Sequence, residues 1–193
     1  MGNGALTRAV FLDRDGVVNE AVVREGKPYP PSPEELRTMP DASEALQALR
    51  DAGFSLYVVT NQPDVARGTR SLAEIDVIHA RLAGELPLDG FYVCPHDDAD
   101  RCECRKPSPG LLLRAAREHA IALTSSYLVG DRWKDIAAGK AAGVAATVFI
   151  DHGYAEHRPQ PPADATVSTL QGAAQWILNR DEHERRGEDD ARP

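Results

Sequence analysis

The chain of 193 residues has three cysteines, two tryptophans and no apolar run approaching a membrane span. A bilayer core asks for about 20 consecutive apolar residues, so no membrane partner is expected. Residues 1–8 lack the apolar stretch of a secretory leader, and a cytoplasmic location is the expectation. An odd cysteine count in that setting argues against a disulfide framework. Positive charge is also scarce: 22 Lys and Arg face 30 Asp and Glu, for a net charge of −8. That balance argues against nucleic acid as a partner. It leaves room for a small anionic substrate, because a few cations can make a local positive pocket. There is no internal repeat.

What remains is 42% hydrophobic, enough for one core in one domain. The domain is expected to span 9–179. A short extension (1–8) precedes it, and a charged, nearly apolar-free tail (180–193), expected to be disordered, follows it. A monomer is expected. Strand-like and helix-like segments alternate, which favours an α/β fold with a parallel sheet between two helical layers. Asp41-x-x-Glu44 and Ser71-x-x-Glu74 read as capping boxes opening two helices. Further helices are expected at about 110–119, 134–142 and 169–178, the last with Ser168 as N-cap. Strands are expected at 9–12, 55–59, 91–93, 127–129 and 146–150.

Three of these strands end in polar groups suited to chemistry. The first runs into Asp13-Arg14-Asp15-Gly16, with two carboxylates at i, i+2. Side chains alternate along extended backbone, so both can face one pocket. One could serve as nucleophile while the other moves a proton. Read alone, Asp-Gly is also an ordinary turn dipeptide. The second strand ends in Thr60-Asn61-Gln62, whose hydroxyl and amides can bond a phosphate. Arg105-Lys106-Pro107 puts two cations before a helix start, and the fourth strand runs into Gly130-Asp131-Arg132-Trp133-Lys134-Asp135. Open α/β sheets place their ligands at such strand ends. Only residues 14–59 separate Asp13 from Thr60. They hold a proline-rich loop at 19–39 and one helix, too little for a large cap domain. A loop of that length is itself expected to be functional.

All three cysteines fall in Cys94-Pro95-His96 and Cys102-Glu103-Cys104. Three thiolates and one imidazole make a Cys₃His set, a tetrahedral zinc environment. Four protein ligands close the site, so the metal would be structural. It would pin the loop that carries Arg105 and Lys106.

The four motifs, three of them at strand ends, resemble in their order those of the haloacid dehalogenase (HAD) superfamily. With the zinc loop and Arg105-Lys106-Pro107, the chain looks like the heptose bisphosphate and histidinol-phosphate phosphatase family over about residues 9–150. The resemblance implies a HAD-like Rossmannoid three-layer sandwich. It implies Asp13 as nucleophile, Asp15 as acid/base, and Thr60 and Lys106 steadying the phosphoryl group. Mg²⁺ would be held by Asp13, the Asp15 main-chain carbonyl and Asp131; Zn²⁺ would be held by Cys94, His96, Cys102 and Cys104. Asn61, Gln62, Arg67, Arg105 and Arg132 would meet a small phosphorylated sugar, with Arg24 a further candidate. The segment Glu20-Ala21-Val22-Val23-Arg24-Glu25-Gly26-Lys27 departs from an Asp-His-Gly-Tyr-like stretch common in the family. The implied reaction is removal of the 7-phosphate from D-glycero-D-manno-heptose 1,7-bisphosphate through an aspartyl-phosphate. Alternatives are hydrolysis of histidinol phosphate or another small phosphomonoester, and a zinc-stabilised binding module without activity.

Overall fold

In the computed structural model, residues 6–190 are described. The element order is β1 (Ala9–Leu12), β2 (Val22–Arg24), β3 (Lys27–Tyr29), α1 (Ala42–Asp51), β4 (Ser55–Asn61), α2 (Leu72–Glu85) and β5 (Gly90–Cys94). It continues with α3 (Gly110–Glu118), β6 (Tyr127–Gly130), α4 (Trp133–Ala142), β7 (Ala146–Ile150), β8 (Ala165–Val167) and α5 (Leu170–Asp190). Six strands form one sheet in the order β5-β4-β1-β6-β7-β8, every pairing parallel.

The apolar strands are covered on both faces, as parallel sheets require. Their alternation sorts the core into two layers. Val10 and Leu12 of β1 pack with Leu56 and Val58 of β4 against α1, α2 and α5, through Leu46, Leu49, Ile78 and Ile177. Ala9, Phe11, Tyr57 and Val59 face the other way, onto Leu112 and Ala115 of α3 and Ile136 of α4. These leucines and isoleucines are wholly buried; each such side chain contributes about 2 kcal/mol. The three-layer sandwich matches the sequence expectation, and no large cap lies between Asp13 and Thr60 among the described residues.

Several local expectations need correction. The loop at 19–39 carries a small antiparallel hairpin, β2 with β3. Pro28 within β3 hid it, because proline donates nothing to a ladder. The three-residue edge strand β8 was too short to register as a pattern. Asp41 makes no capping bond with its own helix; its Oδ2 instead accepts from the Gln171 N–H at 2.7 Å, tying α1 to α5. Ser71 and Glu74 do form a capping box. At α5, Thr169 rather than Ser168 caps, its Oγ1 accepting from Gly172 N at 3.0 Å.

Most of the tail expected to be disordered is helical, since α5 continues to Asp190. Ion pairs one turn apart explain how so polar a segment holds: Arg180–Glu184 at 2.9 Å and Asp181–Arg185 at 3.1 Å. Asp181 also pairs with Arg8, whose other terminal nitrogen donates to the Ala52 carbonyl. Of the expected N-terminal extension, Thr7 and Arg8 are thus bonded into the domain. Residues 1–5 and 191–193 lie outside the described residues.

Candidate active site

Strand order reverses at β1, with β4 on one side and β6 on the other. A crevice therefore opens beyond the carboxyl ends of these strands, the place where such sheets bind ligands. Asp13 follows β1, Thr60 and Asn61 end β4, and Asp131 follows β6. Lys106 arrives from the loop before α3 and is almost fully buried.

Lys106 Nζ is the hub. It lies 2.7 Å from Asp13 Oδ1, 2.6 Å from Asp135 Oδ1 and 2.7 Å from the Val59 carbonyl. Its backbone is gripped by Asn61, which accepts from Lys106 N and donates to Lys106 O, both at 3.0 Å. Burial alone would lower the lysine pKa; the Asp13 and Asp135 carboxylates overcome it and the net shift is upward. Burial and the neighbouring Asp135 carboxylate raise Asp13 to about 6, despite Lys106.

Asp15 sits differently. Burial would raise its pKa, but Arg14, Asn19 and Gln62 donors bring it below the usual carboxylate range. Arg14 forks onto both oxygens at 3.1 and 3.0 Å, and Gln62 donates at 2.9 Å while also bonding Thr60 Oγ1. The Arg14 side chain is wholly buried, its other end donating to His79 Nε2 at 3.2 Å. Gly16 follows in the left-handed region at φ +91°, and a Cβ there would collide with Asp131 Oδ2. Gly130 is required for a similar reason, since Asp135 fills the space of its missing side chain.

Ligand oxygens of Asp13, Asp131 and Asp135 lie within 4.8 Å of one another. Both Asp131 oxygens are buried with no hydrogen-bond partner. Burial, then Asp13 and Asp135, push its pKa well above the ordinary value. A buried, unpartnered carboxylate among carboxylates is costly unless a cation joins it, so the donor set fits an oxygen-loving divalent ion.

The second cluster is sulfur-rich. Sγ atoms of Cys94, Cys102 and Cys104 stand 3.2–3.6 Å apart, and His96 Nδ1 is 3.4 Å from Cys104 and 3.7 Å from Cys94. A tetrahedron with Zn–S bonds of about 2.3 Å has edges of about 3.8 Å. The four donors stand somewhat closer than that, gathered around one point, and the cysteines are not disulfide-bonded.

The cleft above Asp13 has a volume of about 270 Å³. Arg67, Arg105 and Arg132 line it, and each is already engaged with a carboxylate. Arg67 pairs with Asp97, Arg105 with Asp98 at 2.7 Å, and Arg132 with Glu156. Gln62 is fully buried and serves Asp15 and Thr60 rather than the cleft. Arg24 lies over the Tyr29 ring and is not among the lining residues; Lys27, on the same hairpin, is. Sequence reasoning gave no role to Arg14 or Lys134, and took Asp135 only as the closing residue of the Gly130–Asp135 motif. Asp135 lies in the first turn of α4 and reaches Lys106 from there.

This geometry belongs to a recognisable class. Residues 29–143 match the family model described as haloacid dehalogenase-like hydrolase, and the chain belongs to that family. Among curated proteins it is similar to D-glycero-beta-D-manno-heptose-1,7-bisphosphate 7-phosphatase of Yersinia pestis, 36% identical over 89% of each chain. The protein of the same name from Escherichia coli (strain K12) is 34% identical, over 89% of this chain and 88% of that one. Among solved structures, a D,D-heptose 1,7-bisphosphate phosphatase from B. bronchiseptica, complexed with magnesium and phosphate, superposes with a TM-score of 0.74. It is 28% identical, over 90% of this chain and 99% of that one.

Proposed function

We propose that this chain is a Mg²⁺-dependent phosphatase that removes the 7-phosphate of D-glycero-D-manno-heptose 1,7-bisphosphate. The observation that carries the reading is Asp13: a strand-end carboxylate bridged by Lys106, facing a cleft rimmed by arginines. The named relatives, which match this chain over most of their length, support the sugar bisphosphate as substrate.

Asp13 attacks phosphorus in line; the bond to the sugar oxygen breaks and an aspartyl-phosphate forms. Asp15 delivers a proton to the departing oxygen. It then takes one from the water that attacks phosphorus and releases Asp13. The donor-rich surroundings of Asp15 favour its ionised form, which suits the second half-reaction. For the first, Asp15 must enter protonated, so bound substrate has to displace one of the donors that now hold it ionised. Lys106 offsets charge on the transferring phosphoryl group while keeping Asp13 ionised. Mg²⁺, held by Asp13, Asp131 and the Asp15 main-chain carbonyl, would supply further charge neutralisation. Zn²⁺ on Cys94, His96, Cys102 and Cys104 would be structural, fixing the loop that leads directly into Arg105 and Lys106. Arg105, Arg132 and Arg67 would meet the remote phosphate by exchanging their carboxylate partners for it.

The test is phosphate release from a panel of the α- and β-heptose bisphosphates, a heptose monophosphate and histidinol phosphate. The β-bisphosphate should give the highest kcat/KM, in line with the relatives. Faster turnover of histidinol phosphate would replace this substrate assignment. No release from any ester would favour a non-catalytic module.

A further inference from the structure

A second cavity, of about 200 Å³, has Asp131, Arg132, His152, Tyr154 and Glu156 in its walls. Three of these come from residues 151–158, the segment after β7. No sequence motif drew attention to it, yet it touches the phosphatase site at four points. His152 Nε2 lies 2.7 Å from the Gly16 carbonyl; a carbonyl only accepts, so Nε2 carries the hydrogen. The Tyr154 hydroxyl flanks the empty side of Gly16 together with Asp131 Oδ2, within 3.2 Å of where a Cβ would stand. Glu156 pairs with Arg132, the residue after Asp131. Ala155 N donates to the Gly26 carbonyl at 3.0 Å, joining the segment to the β2–β3 hairpin that walls the cleft.

We propose that residues 151–158 act as a positioning strap, in which His152 and Tyr154 hold the Gly16 turn and the Asp131 carboxylate in the arrangement that binds the divalent cation. The inference rests on the Mg²⁺ reading above. The Gly16 turn is fixed from within by Gly16 N donating to Asn19 O at 2.7 Å, and from outside by His152. Between these two bonds the Asp15–Gly16 peptide, and with it the Asp15 carbonyl, has little freedom to rotate. Asp131 lacks hydrogen bonds of its own on either oxygen, so its orientation depends on what packs beside it. The Tyr154 hydroxyl stands beside Asp131 Oδ2 at the Gly16 turn and has a hydrogen to donate. Partners of this kind, behind the ligands, set ligand orientation and hence metal affinity.

The experiment titrates Mg²⁺ into the full-length zinc-loaded protein without substrate, reading the dissociation constant by calorimetry. Tyr154→Phe and His152→Ala should each weaken Mg²⁺ about 10-fold, the low end of what such outer partners contribute. The melting temperature of the Mg²⁺-free protein should change little. His152→Gln, whose amide can still donate to Gly16, should recover most of the affinity; failure to do so removes His152 from the proposal. Wild-type Mg²⁺ affinity in Tyr154→Phe and His152→Ala overturns the strap. So does a loss of affinity matched by an equal loss of stability in the Mg²⁺-free protein. Tyr154→Phe deletes one oxygen atom, so it stays decisive if His152→Ala fails to fold. Asp131→Asn, run alongside, separates the two readings. Wild-type affinity there would overturn the metal assignment itself, whereas lost affinity there with unaffected strap variants overturns the strap alone.

Discussion

Two clusters of metal-ligating side chains stand at one edge of the same sheet and are built in opposite ways. The sulfur cluster is local: Cys94 ends β5, and the other three donors come within the next ten residues. The oxygen cluster is assembled by topology, with Asp13 after β1, Asp131 after β6 and Asp135 on α4. Each sulfur-cluster donor has another donor of the set within 3.7 Å, so one ion could take all four as ligands and would have no open position left. The oxygen cluster keeps an unsatisfied carboxylate, a buried lysine and an open cleft. A closed set of ligands fastens the chain; an open, electrostatically strained one can bind a reacting group. Lys106, two residues beyond Cys104, is the point where the first supports the second.

The comparison breaks most sharply by mutation of one member on each side. Asp13→Asn should reduce phosphate release at least about 1,000-fold, the scale seen when a nucleophile is lost. Its melting temperature should hold, because the change removes a negative charge that Asp131 and Asp135 repel. Retention of more than a thousandth of the activity would contradict covalent catalysis by Asp13. At the sulfur cluster the two properties should fall together. Cys102→Ser should lose zinc, lower the melting temperature by about 5–10 °C, equivalent to roughly 2–3 kcal/mol in a chain of this size, and reduce kcat/KM. Elemental analysis showing no zinc in wild-type protein prepared without chelators would remove the assignment altogether.

The same contrast decides what could be read in advance. The Cys₃His set was legible because its ligands are spaced along a single loop. The strand-end groups Asp13, Thr60 and Asp131 were legible because apolar runs announce strands and chemistry follows at their ends; Lys106 was legible because it follows the last cysteine of the loop. The sheet order, and with it the meeting of Asp135 with Lys106, depends on helix packing that no local pattern records. Arg14 was missed because its neighbours Asp13 and Asp15 drew the reading, although a buried arginine is what keeps Asp15 ionised. The hairpin escaped notice because Pro28 breaks strand rules. The ion pairs that engage Arg67, Arg105 and Arg132 are contacts between loops, and charge counts say nothing of them.

Arg105 tests how firmly the zinc loop serves the cleft. Its guanidinium bonds Asp98 and the His96 carbonyl at the rim, so binding a remote phosphate means giving up an existing partner. Arg105→Ala should lower kcat/KM for the bisphosphate by about 10-fold, near 1.4 kcal/mol, which is less than an uncommitted cation would contribute. The effect on a monophosphate should be smaller. Equal losses on both substrates would assign Arg105 to the reacting phosphate or to the loop itself.

A last effect concerns acid and stability rather than turnover, and it should strike the oxygen side first. His79 is buried against Phe91 and accepts from Arg14, the residue that clamps Asp15. Burial, then the Arg14 charge, lower its pKa from 6.5 to about 4. A histidine depressed in the folded state stabilises the protein fully above its unfolded value. Below pH 6.5 the unfolded chain takes up a proton that the folded one refuses until about pH 4, so stability drains away across that window. At 1.36 kcal/mol per unit, the contribution is at most about 3 kcal/mol. His79→Gln keeps an acceptor for Arg14 but cannot be protonated. Its unfolding free energy, followed by denaturant titration from pH 7 to 4, should therefore fall less steeply than that of the wild type. Parallel curves for the two proteins would mean that His79 titrates normally, and that the acid sensitivity of this domain lies with its carboxylates instead.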